Sequence, residues 1–147
     1  MAKRIAGVDL GGTKIEAVVV DERRKVRGRH RIATPTEGGP DSILDAIAVA
    51  VTGARDDAGG AELKGIGIGA PGAVDAERGL LSHAPNIPGF VDAYPMAQAI
   101  EERCGAKVRL GNDVGVAVLG ELELGAGRAL RSFIGVWWGT GVGCGVV

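Results

Sequence analysis

Aromatic residues, cysteines and histidines are scarce in this sequence of 147 residues. Aromatic residues make up 3% of it, and there are two cysteines and two histidines. Cys104 and Cys144 cannot form a disulfide framework, and neither His30 nor His83 stands at metal-ligand spacing from them. A structural zinc site is therefore not possible from this part of the chain, and a reducing compartment is favoured.

An excess of charge of either sign is also missing. The chain has 17 Lys and Arg residues against 18 Asp and Glu residues, a net charge of −1, with no basic stripe. Nothing therefore points to a nucleic-acid partner or to an anionic membrane surface. A hydrophobic content of 46% with 24% charged residues indicates a globular fold, and the length suits one modest domain.

Long hydrophobic runs are absent as well. Asp9 interrupts the first apolar segment, which argues against a signal peptide. From Ser132 to Val147 there are 16 uncharged residues, but five glycines interrupt them and they are too few to span a bilayer. The glycine spacing of this segment predicts paired strands. Together with the missing signal peptide and membrane span, it favours a cytoplasmic protein without a membrane partner.

Glycine, by contrast, is abundant, with 26 residues. Between the glycine turns, the hydrophobic pattern predicts the order βββαβαβα and then ββ, beginning with three antiparallel strands. Strands are predicted over residues 3–10, 14–21, 25–32, 64–70, 107–110 and 133–138, and helices from Pro40 to Gly59, over 95–103 and from Asn112 to about Leu124. The segment from Pro71 to Phe90 is predicted as a turn and loop, and Gly139–Gly145 as a turn before a last strand.

The stretch from Leu110 to Glu121 carries an amide–carboxylate pair, Asn112-Asp113, between a predicted strand and a predicted helix. Open α/β folds bind ligands at the carboxyl ends of their strands, so this pair is a candidate binding site. A structural alternative is that Asn112 caps the helix and that Asp113 complements its dipole. Local sequence alone leaves both interpretations open.

Two familiar nucleotide-binding motifs are excluded by the residues on their carboxyl side. Gly67–Gly72 matches G-x-G-x-x-G, but the residues after it are turn-like, whereas a dinucleotide site needs a helix there. Gly7–Lys14 resembles a Walker loop, but it ends in Gly-Thr-Lys and leads into a predicted strand. Neither a Rossmann site nor a P-loop is therefore expected.

Two glycine hairpins remain as candidate phosphate sites. In the first, Asp9–Lys14, glycine N–H groups and the Thr13 hydroxyl can approach phosphate oxygens, while Asp9 can hold Mg²⁺ through water. The second, Gly139–Gly143, repeats this design far along the chain. One such hairpin could be an ordinary turn with a solvated carboxylate, but two on facing lobes would hold a triphosphate from both sides.

Five motifs follow one another along the chain: Asp9–Lys14, Gly67–Asp75, Ala84–Phe90, Asn112-Asp113 with Gly120-Glu121, and Gly139–Gly143. In this order they resemble the motifs of ROK-family sugar kinases, with bacterial glucokinases the most similar members. The resemblance runs across the whole chain. It implies the ribonuclease H-like, actin-type ATPase fold, an α/β fold in which two lobes close over ATP and a hexose.

The resemblance also implies roles for individual residues. Asp113 would be the catalytic base, and Asp9 would serve Mg²⁺ through water. The phosphate- and ATP-binding residues would be Asp9, Gly11, Gly12, Thr13, Lys14, Gly139, Thr140 and Gly141. The sugar-binding residues would be Gly72, Asn86, Asn112 and Asp113.

The chain departs from the family pattern in two respects. Family members usually have Glu-Asn-Asp-Ala-Asn around the catalytic pair, whereas this chain has Gly111-Asn-Asp-Val-Gly115, which removes two polar groups. Most of the second lobe is also absent. We therefore expect residues 1–111 to form the first lobe and 112–147 a hinge helix and the start of the second, and residues 1–147 alone to be inactive and prone to self-association.

The function expected from these motifs is ATP-dependent phosphorylation of a hexose, most simply glucose to glucose 6-phosphate, by a protein that is a homo-oligomer at full length. One alternative is a sugar-sensing transcriptional regulator of the same family. Only eight residues precede Asp9, which leaves no room for a winged helix-turn-helix. Another alternative is a non-catalytic module with the ATPase fold. The sequence does not identify the hexose or the phosphoryl donor.

Overall fold

The computed structural model describes residues 4–138 and 142–147. Nine strands and three helices follow one another along this part of the chain, with a short 3-10 turn at Ala126–Ala129. In chain order they are β1 (Arg4–Leu10), β2 (Lys14–Val20), β3 (Val26–Ala33), α1 (Gly39–Asp57), β4 (Leu63–Ala70), β5 (Ala73–Asp75), β6 (Leu80–Ser82), α2 (Met96–Cys104), β7 (Val108–Asn112), α3 (Asp113–Leu124), β8 (Ile134–Trp138) and β9 (Val142–Val146).

A five-stranded mixed sheet in the order β3-β2-β1-β4-β7 carries the fold. The first three strands form the predicted antiparallel meander, while β4 pairs in parallel with β1 and with β7. Because β1, β4 and β7 are parallel neighbours, their carboxyl ends lie at one edge of the sheet. Asp9 is paired there with Gly69, which in turn is paired with Gly111.

Strand alternation and one helical stripe build the core. On β1 the even-numbered residues Ala6, Val8 and Leu10 are buried, and they face the same side of the sheet as Ile66 and Ile68 of β4. Helix α1 covers this side with residues at helical spacing, among them Ile43, Leu44, Ile47, Val51 and Ala54, which are at most 3% exposed. The predicted stripe of α1 is confirmed.

The predicted order βββαβαβα followed by ββ is confirmed for the five-stranded sheet, the helices and the final ribbon, but two local predictions are wrong. Between Pro71 and Phe90 the chain forms the β5–β6 hairpin, where a turn and loop were expected, with Ala73 paired to Ser82. These strands have only three residues each, which is too short for alternation to be recognised. Gly72 is followed by strand β5 and not by the helix that a dinucleotide-binding fingerprint requires.

The second wrong prediction concerns the glycine-rich segment near the end of the chain. A turn was expected through Gly145, but strand β9 already begins at Val142, while residues 139–141 lie outside the described residues. Gly143 and Gly145 belong to this strand because they pack against α3. A Cβ added at Gly143 would lie 2.6 Å from Cγ2 of Val114, and one at Gly145 would lie 2.5 Å from Cγ2 of Val118.

The two-stranded β8–β9 ribbon thus lies with one face on α3. Its register pairs Ile134 with Val146 and Trp138 with Val142, and the residues that point away from α3 are exposed.

No helix among the described residues has the length and apolar character needed to cross a membrane. Cys104 and Cys144 are both free thiols.

Candidate active site

The candidate active site is a cleft at the carboxyl edge of the sheet, where β1 and α3 each contribute a carboxylate. Asp9, near the end of β1, and Asp113, the first residue of α3, both line this cleft of about 420 Å³. Gly69 lies between them, and a Cβ added there would approach the Cα of Asp113 to 3.6 Å. The structure therefore brings together the two carboxylates that the sequence motifs singled out.

The other residues that line the cleft are apolar. They are Val8, Val114, Val116, Ala117 and Trp137. A cleft with two carboxylates in an otherwise apolar wall strengthens electrostatic interactions with a ligand that displaces water from it, because the apolar side chains lower the local dielectric.

Electrostatics at Asp9 reflect these surroundings. Although Asp9 is exposed at the cleft, desolvation by the surrounding protein raises its pKa, and the nearby carboxylates of Asp113 and Glu16 raise it further. Lys14 opposes the shift. Asp9 is thus a carboxylate that a cation would stabilise in its charged form.

Glu16 is the cross-strand partner of Asp9, so two like charges face each other on β1 and β2. Arg31 on β3 compensates, because its guanidinium hydrogen-bonds to Oε2 of Glu16 at 2.6 and 2.9 Å and thereby lowers the pKa of that carboxyl. Arg29 adds a contact of 3.3 Å, and Nζ of Lys14 lies 4.0 Å from the same carboxylate. With Glu16 held by arginines, Asp9 is the carboxylate of this pair that stays available to a ligand.

Asp113 and Asn112 are positioned by the start of α3. Asn112 is the N-cap, and its Oδ1 accepts a hydrogen bond from the N–H of Gly115 at 3.3 Å. Asp113 lies in the first turn, where the helix dipole favours a negative charge, and its Oδ1 accepts from the N–H of Val114 at 2.8 Å. The structural interpretation of this pair is therefore correct, and it is compatible with a functional one because Asp113 still lines the cleft.

Asn112 also joins the helix to the turn before β5. Its Nδ2 donates to the carbonyl oxygen of Gly72 at 3.3 Å. Gly72 has a φ of +94°, and a Cβ there would lie within 2.7–3.0 Å of Ser82, His83 and Ala84. Two of the predicted sugar-binding residues are thus in direct contact, and Gly72 is glycine for reasons of both conformation and space.

The first glycine hairpin closes as a tight loop between β1 and β2. The N–H of Gly11 donates to the carbonyl oxygen of Lys14 at 2.9 Å. Gly12 faces the Ala84–Phe90 loop, since a Cβ there would lie 3.0 Å from the carbonyl oxygen and 3.1 Å from the Cβ of Asn86. Asn86, predicted as a sugar-binding residue, therefore lies against the predicted phosphate hairpin.

Sequence reasoning missed Thr34, which braces this hairpin. Its hydroxyl donates to the carbonyl oxygen of Gly11 at 2.6 Å, and its N–H donates to that of Thr13 at 3.1 Å. Thr34 is 6% exposed, and it is the buried polar residue among those described. The sequence contained one indication of this role: Thr34 is a polar residue directly after β3, and β3 pairs with β2, the strand that follows the hairpin.

The remaining predicted residues lie elsewhere or outside the described part of the chain. Lys14 starts β2, and its side chain is exposed beside Glu16. Gly139, Thr140 and Gly141, predicted to form the second phosphate hairpin, lie outside the described residues, between β8 and β9.

A magnesium ion fits the residues that face the cleft. Mg²⁺ is commonly held by one or two carboxylates together with phosphate oxygens and water, and Asp9 supplies one such carboxylate next to the first hairpin. Within residues 4–138 and 142–147 no group of three potential metal-ligating side chains occurs, so a cage made entirely of protein ligands is not indicated there.

Comparison with known proteins agrees with this architecture. A glucokinase from Streptomyces coelicolor is 43% identical over 141 residues, which are 96% of this chain and 42% of that protein. The crystal structure of a ROK hexokinase from Thermus thermophilus is similar with a TM-score of 0.86 and 38% identity, over 98% of this chain and 46% of that one. A ROK family glucokinase from Streptomyces griseus, solved in complex with glucose and AMPPNP, is similar with a TM-score of 0.86 and 39% identity. The match covers 98% of this chain and 44% of that one.

The chain spans less than half of the length of each of these three proteins. Its α/β architecture is that of the ribonuclease H-like, actin-type ATPase fold, as predicted from the motifs. The model of the ROK family matches residues 5–147, and the chain belongs to the ROK family.

Proposed function

We propose that the protein containing this chain transfers the γ-phosphoryl group of ATP to a hexose, most simply glucose. The observation that supports this proposal is the shared cleft: Asp9 and Asp113 face one space of about 420 Å³, beside the hairpin of Gly11 and Gly12. Phosphoryl transfer requires mainly positioning and charge stabilisation, and both can be supplied by such an arrangement.

Asp113 is the proposed catalytic base. It accepts the proton of the sugar hydroxyl while the hydroxyl oxygen forms its bond to phosphorus and the bond between phosphorus and ADP breaks. Because Oδ1 of Asp113 is held by the N–H of Val114, the carboxylate has a fixed orientation, and Oδ2 is left for the substrate. A fixed base also orients the hydroxyl before the transfer.

The proposed donor site lies on the other side of the cleft. The N–H of Gly12 and the hydroxyl of Thr13 would contact the phosphates, because the N–H of Gly11 already donates to the carbonyl oxygen of Lys14. Lys14 and the residues 139–141 are proposed as further phosphate contacts. Asp9 would hold Mg²⁺ through water, and the ion would supply positive charge to the phosphate oxygens. Thr34 keeps the hairpin in shape through its two hydrogen bonds.

The proposed sugar site consists of Asn112, Gly72 and Asn86 beside Asp113. Asn112 uses one lone pair of Oδ1 and one hydrogen of Nδ2 for Gly115 and Gly72, so each end of its amide keeps one hydrogen-bonding position for a sugar hydroxyl. Glucose and ATP as substrates are supported by the relatives, of which one is named as a glucokinase and another was solved with glucose and AMPPNP.

This proposal also includes four predictions from the sequence. The chain divides into residues 1–111 and 112–147, and these 147 residues are inactive by themselves. The longer protein is a homo-oligomer and is located in the cytoplasm. Since Asp113 and the proposed phosphate-binding residues 139–141 follow residue 111 in the chain, both segments would contribute to catalysis. Neither segment is expected to turn over substrate without the other.

The proposal is tested on the complete protein with Mg²⁺, ATP and a panel of glucose, mannose, galactose and N-acetylglucosamine. A coupled assay for ADP should show turnover that depends on one of these sugars, and phosphorus NMR should show a phosphate ester on its primary hydroxyl. Sugar binding without turnover would instead favour a regulator or a non-catalytic module. No sugar-dependent turnover and no sugar binding would refute the proposal.

A further inference from the structure

Strand β8 carries two consecutive tryptophans that face opposite sides. Trp138 points away from α3 and is 88% exposed, whereas Trp137 points toward α3 and is partly buried. Trp137 lines the cleft together with Asp9 and Asp113. It is thus an aromatic side chain in the wall of the proposed active site, and the proposed mechanism does not use it.

The indole ring of Trp137 packs against the backbone of the same strand. A Cβ at Gly135, two residues earlier on the same face, would overlap the six-membered part of the ring. Across the ribbon Trp137 is paired with Gly143, where a Cβ would come within 2.6 Å of Val114. Glycine inside a strand weakens it, so the glycine at 135 is explained by the space that the indole of Trp137 occupies, whereas Gly143 makes room for Val114.

Trp137 also borders a second space. This space, of about 460 Å³, is an open depression that is lined in part by Glu121, Gly127 and Phe133. Trp137 is thus a lining residue that the cleft and this depression share. Truncation of the side chain would remove the indole from the side of the cleft and leave room for additional water there.

The chemistry of the proposed reaction makes this additional water consequential. A base that accepts a proton from a sugar hydroxyl can also accept one from water. Water would then form the bond to the γ-phosphorus as the bond to ADP breaks, and ADP and inorganic phosphate would be released without sugar phosphate. Kinases suppress this side reaction by excluding water from the closed site.

We propose that Trp137 is a water-excluding wall of the active site, so that the sugar hydroxyl and not water receives the phosphoryl group. The inference rests on the proposed function, since it concerns the same cleft. Apolar neighbours at Val114 and Ala117 belong to the same wall.

A purely structural role is the competing explanation, because Trp137 also helps to hold the ribbon on α3. The two roles differ in one measurable quantity, the number of ADP molecules released for each sugar phosphate formed. A structural defect lowers stability and total activity but leaves this ratio unchanged. Loss of the indole from the side of the cleft raises the number of ADP molecules released per sugar phosphate, because hydrolysis of ATP becomes faster relative to sugar phosphorylation.

The experiment compares Trp137→Ala, Trp137→Leu and Trp137→Phe with wild type in the complete protein, at saturating sugar and MgATP. ADP and sugar phosphate are measured in parallel coupled assays. We expect wild type to release close to one ADP per sugar phosphate, and Trp137→Ala to raise hydrolysis relative to phosphorylation by about tenfold or more. Leu should give an intermediate ratio and Phe a ratio near that of wild type, since they retain progressively more of the wall.

Trp138→Ala is the matched control, because it removes the same side chain from the opposite face of the same strand and should leave the ratio unchanged. An unchanged ratio in both Trp137→Ala and Trp137→Leu would overturn the inference, and if Trp137→Ala does not fold, Trp137→Leu decides alone. A wild-type protein that forms no sugar phosphate would instead refute the proposed function.

Discussion

The segments before and after Gly111 bury their apolar residues very differently. Of the 26 buried hydrophobic residues among those described, 25 lie at or before Leu110, and Val118 is the one beyond it. The first segment therefore has a complete core between its sheet and α1. The second segment has almost no core of its own.

Exposed hydrophobic residues show the opposite distribution. Nine of the thirteen large ones lie after Gly111, although that segment is the shorter of the two. They are Val116, Leu119, Leu124, Leu130, Ile134, Val136, Trp138, Val142 and Val146. Five of these form the outer face of the β8–β9 ribbon, so the ribbon buries one face against α3 and exposes an apolar surface on the other.

The difference shows how the candidate site is assembled. Asp9 comes from the well-packed segment, whereas Asp113 and Trp137 come from the segment with little core. Their relative position depends on the contacts that fix α3, such as the hydrogen bond from Asn112 to Gly72 and the packing of Val116 over Gly69 and Gly111. One side of the candidate site is thus held by a core and the other by a few specific contacts.

The largest effect is expected at Asp113, on the second side of the cleft. Asp113→Asn in the complete protein keeps the shape of the side chain but removes the proposed base, so kcat should fall by about a thousandfold or more, roughly 4 kcal/mol. Sugar affinity should change far less. Steady-state kinetics decide the matter, and a kcat within about tenfold of wild type, roughly 1.4 kcal/mol, would rule out Asp113 as the base.

The next effect contrasts the two segments directly, with the same substitution in a strand of each. Ile68 in β4 is 2% exposed and Ile134 in β8 is 66% exposed. Ile68→Ala should lower the free energy of unfolding of the 147-residue chain by about 2–5 kcal/mol, because it leaves a cavity in the core. Ile134→Ala should change it by no more than about 0.5 kcal/mol.

Chemical denaturation monitored by circular dichroism measures both values. Equal losses in the two variants would mean that the ribbon is as well packed as the sheet, and the contrast between the segments would be lost.

A third prediction concerns the outer face of the ribbon. Since this face is uncharged and both ribbon edges are unpaired among the described residues, we expect residues 1–147 to self-associate at tens of micromolar. Val136→Lys places a charge in the centre of the face and should shift the population toward monomer. Val49→Lys, at an exposed position on α1, is the control and should not.

Size-exclusion chromatography with light scattering reports the mass of each variant. A wild-type chain that elutes as a clean monomer would contradict this prediction.

The pH dependence of stability provides a smaller effect on the first side of the cleft. The folded-state pKa of Asp9 is raised above its ordinary value of 3.8, so the charged carboxylate destabilises the fold at neutral pH. Asp9→Asn should therefore be more stable than wild type at pH 7. The gain should shrink as the pH falls through the raised pKa and disappear below 3.8, where Asp9 is protonated in both states.

Urea titrations of both proteins between pH 7 and pH 3 measure the difference. A variant that is no more stable than wild type at pH 7 would show that Asp9 is not desolvated in the fold.

Much of the architecture could be predicted from periodicity and turn residues. The meander, the stripe of α1 and the strand-to-helix junction at Asn112 follow from local patterns, because alternation and helical spacing report which face is buried. Tertiary contacts decided the rest. Gly143 and Gly145 look like turn residues, but they are strand residues that make room for Val114 and Val118.

For the candidate site, the sequence identified the two carboxylates and the first hairpin but not the residues that support them. Thr34 acts through backbone atoms of Gly11 and Thr13, and no spacing rule indicates that contact. Alternation places Trp137 and Trp138 on opposite faces, but the sequence does not tell which of them faces the cleft. That choice depends on how the ribbon packs on α3.

The two carboxylates of the cleft are proposed to serve different substrates, Asp9 the nucleotide and Asp113 the sugar. Calorimetric titration of glucose into Asp9→Ala of the complete protein tests this division most directly. We predict a glucose dissociation constant within about twofold of wild type, less than roughly 0.5 kcal/mol, alongside a raised KM for MgATP. A large loss of glucose affinity in a variant that remains folded would place Asp9 in the sugar site and contradict the division.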